Sequence, residues 1–160
     1  MFRTMMLTAA VALLLLPVMA SAQSTVTATA TVSPTAVLTG SGDLAFGPLS
    51  DVTDNEILAT SGATRTVTFN HDIDVSFSNV PAALTGAGAN LPIQLMCASQ
   101  PDGGAWSTPA DCTTALLALD VGTALTIATL GFGGIILAAD VANAPAGDYS
   151  ATFDIIIAAR

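Results

Sequence analysis

The sequence predicts an all-β fold, an immunoglobulin-like β-sandwich. Three observations predict it. Apolar and polar residues alternate in roughly eight or nine short segments, and period-two alternation puts one face of an extended strand inward. Gly, Pro, Asn and Asp punctuate these segments at the turn spacing of a sandwich. No segment carries an amphipathic helical stripe of ordinary length.

The first 22 residues read as a secretory signal peptide. Arg3 is the only charge ahead of the apolar stretch at 7–18, and Ala20-Ser21-Ala22 forms an A-x-A cleavage site. The stretch is too short for a transmembrane helix, and no later segment is long enough to span a bilayer. Cleavage after Ala22 would start the mature chain at Gln23. Removing 22 residues from 160 leaves 138, enough for one domain with a core.

Behind the signal, TVTATATVSP at 25–34 alternates strictly. Val26, Ala28, Ala30 and Val32 share one face of an extended strand, and Thr25, Thr27, Thr29 and Thr31 the other. Residues 38–42 break the pattern with two Gly, and the domain proper is taken as 35–160, after a leading extension at 23–34. Asp43-Leu44-Ala45-Phe46-Gly47 reads as a short strand stopped by Gly47-Pro48. Residues 51–62 read as a loop, anchored by Ile57 and Leu58. Residues 65–69 and 73–78 alternate around Asn70-His71, as a hairpin or as one long bent strand. Residues 81–90 read as a Gly/Ala-rich loop. Leu91, Ile93 and Leu95 alternate up to Cys97. Residues 115–119 fit a strand or a turn of helix. Leu125 and Ile127 mark another strand, and 132–137 is a continuous apolar run. A turn at 143–147 precedes the closing strand from about 149 to 158, in which Tyr149, Ala151, Phe153, Ile155, Ile157 and Ala159 share a face.

Composition excludes some functions. Twelve acids face three Arg and no Lys. After cleavage only Arg65 and Arg160 remain, for a net charge of about −10. Nucleic acid binding is not expected, since phosphates demand a basic face. So few charges suit a surface packed against copies of itself. Cys97 and Cys112 are the only cysteines, and an exported chain pairs them. Two Cys and one distant His are too few for a metal site, and no cofactor is expected.

His71, Asp72 and Asp74 are the most tempting constellation, with Ser76 as a further ligand for a weak Ca²⁺. The plainer reading is a solvated outer strand face. No G-x-S-x-G elbow accompanies His71, so an enzyme is not expected. Gly131, Gly133 and Gly134 do not complete a dinucleotide fingerprint and read as a bend in the sheet. Trp106 reads as a sugar-stacking residue or, more plainly, as a cover over the edge of the core.

Two stretches carry a resemblance. VTATATVSPTAVL at 26–38 resembles the donor strand that opens class 5 (alpha-type, colonization-factor) chaperone–usher pilins. APAGDYSATFDIII at 144–157 is similar to their closing strand. DLAFG at 43–47 and VGTALTI at 121–127 resemble patches in the wider group of secreted pilin-like and spore-coat-like domains. The strong matches cover about a fifth of the mature chain. Departures are the cysteine pair, the lack of Lys and the ending Ala158-Ala159-Arg160 without an aromatic. The resemblance implies a sandwich lacking its last strand, completed by the N-terminal donor strand of the next subunit. Val26, Ala28, Ala30 and Val32 would insert; Tyr149, Phe153, Ile155 and Ile157 would line the acceptor groove. It also implies a homopolymeric pilus or fimbria on the bacterial cell surface, with a periplasmic chaperone and outer-membrane usher as further partners. The competing expectation is a monomeric secreted module, adhesin- or lectin-like, that binds through Trp106 and its disulfide loop.

Overall fold

The computed structural model describes residues 29–122 and 125–160. The signal peptide, Val26 and Ala28 lie outside the described residues. The chain divides into two units, Met1–Val32 and Ser33–Arg160. In the first, residues 29–32 are exposed and form no strand. The second is mostly antiparallel β-structure, so the all-β expectation holds.

The strands of this unit are β1 (Ala36–Thr39), β2 (Asn55–Ile57), β3 (Ala63–Phe69), β4 (Ile73–Ser78), β5 (Ala83–Gly86), β6 (Ala89–Pro92), β7 (Gln94–Pro101), β8 (Ala110–Asp111), β9 (Leu117–Leu119), β10 (Thr126–Ile136), β11 (Tyr149–Ser150) and β12 (Asp154–Ala159). One short helix, α1 (Ala138–Asn143), follows β10. A six-stranded sheet runs β1-β3-β10-β7-β8, with β2 also on β10. Two three-stranded sheets run β12-β4-β9 and β11-β5-β6.

β10 organises the large sheet. On one side it pairs with β3 from Thr126 to Phe132 and then with β2 from Gly134 to Ile136; on the other it pairs with β7. One face of β10 packs on the core, and from Gly131 onward its other face is covered by residues 57–59 and Trp106, which is why TIATLGFGGII is apolar almost throughout. Leu130, Phe132 and Ile136 meet Val67 and Phe69 of β3, Ile73 and Val75 of β4, Leu91 of β6, and Leu117 and Leu119 of β9 in one buried cluster. Leu125 and Ile127 point outward instead and are half or more exposed.

Several expectations change. Residues 43–47 form no strand. Gly42 and Gly47, at φ +112° and +67°, bend the chain on both sides of the segment. Leu44 and Phe46 still pack on the core. Residues 81–90 are no loop: β5 and β6 form a hairpin closed by Ala87 and Gly88, at φ +46° and +75°. That two-residue turn needs left-handed backbone at both positions, and the Ala/Gly composition hides the ladder around it. Part of the expected 51–62 loop is β2, paired with β10. β3 and β4 do not pair with each other; the chain leaves one sheet and joins another through residues 70–72. The closing segment splits into β11 and β12, because six residues (79–84) oppose three (151–153) between the ladder pairs Ser78↔Asp154 and Thr85↔Ser150. Asn79 there takes φ +53°, and Pro81 has no N–H to give a ladder. Among the described residues no helix is long and apolar enough to cross a membrane.

Candidate assembly edges

β1 and β12 are the end strands of their sheets. β1 pairs only with β3 and β12 only with β4 among the described residues. Each therefore presents a row of backbone groups to which a further strand can bond.

Residues 70–72 hold one end of each edge strand. Asn70 accepts the Thr35 N–H on Oδ1 at 2.7 Å and donates from Nδ2 to the Ser33 carbonyl at 3.0 Å. Its backbone N–H donates to the Thr35 carbonyl at 3.2 Å. Two residues on, the Asp72 carbonyl accepts the Arg160 N–H at 2.9 Å. The Arg160 guanidinium pairs with Asp74 at 3.6 Å and with Asp120. The start of β1 and the end of β12 thus converge on one corner.

The apolar face under β12 is incompletely covered. Ile155 and Ile157 stand opposite Phe77 and Val75 of β4. Phe153 meets Phe132 edge-on at 5.5 Å between ring centres, and Phe77 at 6.2 Å. Phe77 and Phe132 close the triangle at 5.8 Å. Tyr149 donates its hydroxyl to the Pro145 carbonyl at 2.7 Å. All four expected groove residues, Tyr149, Phe153, Ile155 and Ile157, pack on the core and are only half-buried. Of the expected donor residues, Ala30 and Val32 are exposed, Val32 at 81 %.

Cys97 and Cys112 form a disulfide with Cα atoms 5.3 Å apart. Both are fully buried, at 0 % and 1 % exposure. The enclosed loop folds back on β7 through Ser99 and Ser107, which exchange two hydrogen bonds. Thr113, just past the bridge, donates its hydroxyl and its N–H to Asp111 and holds that carboxyl below its usual range. Trp106 is half-buried and lies over Gly131, where an added Cβ would come within 2.8 Å of the indole ring. The ring is engaged with the sheet rather than presented at a tip.

The tempting carboxylates are employed within the fold. Asp72 accepts the Val121 N–H at 2.8 Å, Asp74 faces Arg160, and Ser76 pairs with Ile156 in the ladder. His71 turns Nδ1 to Asn70 Oδ1 at 3.1 Å. Among the described residues no group of three or more His, Cys, Asp or Glu is placed to hold a metal ion. In the sequence Asn70 stands only as a junction between two alternating runs. The one available signal was its position between two alternating runs, where Asn side chains commonly bond to backbone.

No protein-family profile, curated protein or solved structure matches this chain.

Proposed function

We propose that this chain is a structural subunit of an extracellular filament, assembled when the leading strand of one copy adds to the sheet edge of the next. One observation carries the reading: two edge strands, each paired on one side only among the described residues, converge on one corner, and among those residues the apolar row beside β12 is left half-covered. A strand with alternating apolar residues fits such an edge, because main-chain bonds give affinity and alternate side chains fill the face below. On this reading the two smaller sheets act as one layer of an immunoglobulin-like sandwich facing the six-stranded sheet. Val26, Ala28, Ala30 and Val32 insert, and Tyr149, Phe153, Ile155 and Ile157 receive them. Export follows from the signal at residues 1–22, and a periplasmic chaperone and usher are the partners to seek.

Negative-stain microscopy of the purified mature chain and two variants tests this. The unmodified chain should form filaments. Ala28→Asp buries an unpaired carboxylate, at a cost on the order of several kcal/mol, and should abolish them. Thr27→Asp, on the opposite face, should leave them. A monodisperse unmodified chain, or equal loss in the two variants, overturns the reading.

A further inference from the structure

The β1–β3 ladder ends at the pair Ala36↔Phe69, yet the bonding between the two segments continues past it. Asn70 extends it with its backbone N–H and both ends of its side-chain amide, holding Ser33 and Thr35. The His71 ring sets Nδ1 3.1 Å from the same Oδ1, and the tautomer protonated at Nδ1 donates to it. The Thr35 N–H on Oδ1 and the Ser33 carbonyl at Nδ2 already fix the amide in one orientation. Pro34 lies between the two held residues. It fixes its own φ and keeps Ser33 extended, so the clamped segment is stiff as well as bonded. The second unit begins at Ser33, the first residue that Asn70 touches.

We propose that Asn70 is a positioning residue that fixes the point at which the leading chain parts from the domain. On the filament reading, a donor segment running from Gln23 to the anchor at Ser33 would have a set length, ten residues that span about 33–36 Å when extended. Without the Asn70 side chain, the backbone N–H of residue 70 still holds the Thr35 carbonyl, while Ser33 and Pro34 are released, adding about 7 Å of slack. In a strand-added filament a fixed arm gives a fixed subunit spacing. That consequence rests on the filament reading; the clamp itself does not.

Hydrogen exchange on the full mature chain tests the clamp. Asn70→Ala should speed exchange of the Thr35 amide about tenfold, the scale set by its lost hydrogen bonds. Amides of β10 and the urea midpoint should stay near their unmodified values. Asn70→Asp keeps the acceptor for Thr35 and should leave that amide protected. Unchanged Thr35 exchange in Asn70→Ala overturns the proposal. So does a uniform rise over all strands, which marks general destabilisation, or equal loss of protection in both variants. Filament images give a separate reading: Asn70→Ala should broaden the subunit repeat. Absence of filaments from the unmodified chain would count against the assembly reading alone, while the exchange data would still decide the clamp.

Discussion

At residue 131 a missing side chain decides what lies on the outer face of β10. A Cβ there would run into the Ala59 carbonyl and meet the Trp106 ring at 2.8 and 3.0 Å. Gly133 is covered in the same way by the backbone of residues 57–59. Neither glycine takes a left-handed backbone, so both are needed for close approach rather than for a turn. Gly131→Ala should therefore destabilise by about 1–3 kcal/mol through overpacking. It should also push the indole toward water. Urea denaturation reads the first effect, and a red-shifted Trp106 emission, from the only tryptophan, reads the second. The sequence showed these glycines as a bend. Their actual role was hidden because the covering segments come from residues 57–59 and 106, far away in the chain.

Among the elements, those with strong alternation were legible. β3, β4 and β7 carry Val67, Phe69, Ile73, Val75, Leu95 and Cys97 inward, at the spacing that named them as strands. The β5–β6 hairpin was not legible, because Ala and Gly carry no face. β2 offers three residues and α1 six, too few for a period to register. The same hairpin supports a prediction. Ala87 holds φ +46°, a conformation that costs an L-residue and is free to glycine. Ala87→Gly should raise stability by about 0.5–1 kcal/mol after the entropy of the unfolded chain is counted. A higher denaturation midpoint with an unchanged slope would verify it. Of the candidate edges, the closing strand was visible in the sequence, but its division into β11 and β12 depended on Asn79 and Pro81 in the opposite strand.

Over the whole molecule, charge is scarce and one-sided. The full chain carries −9, and Arg65 and Arg160 are the only Lys or Arg among the described residues. Arg160 is committed to Asp74 and Asp120, which leaves little positive surface for a second copy to meet. Copies of such a chain repel at long range. Raising salt from about 10 to 150 mM shortens the screening length from roughly 30 to 8 Å. If the filament reading holds, assembly should accelerate accordingly, as followed by light scattering. Slower assembly in the higher salt would indicate attraction between charges instead.

The buried bridge between Cys97 and Cys112 also has a kinetic meaning. Neither sulfur offers reagent a path in the closed fold, since both residues are essentially inaccessible. Thiol exchange requires direct attack on a disulfide sulfur, so a reductant must wait for the sheet around β7 to open. The bond is then a clock for that opening. Its rate of loss in dithiothreitol should climb with urea along with the unfolding of the core, and should slow in any state that holds the strands closed.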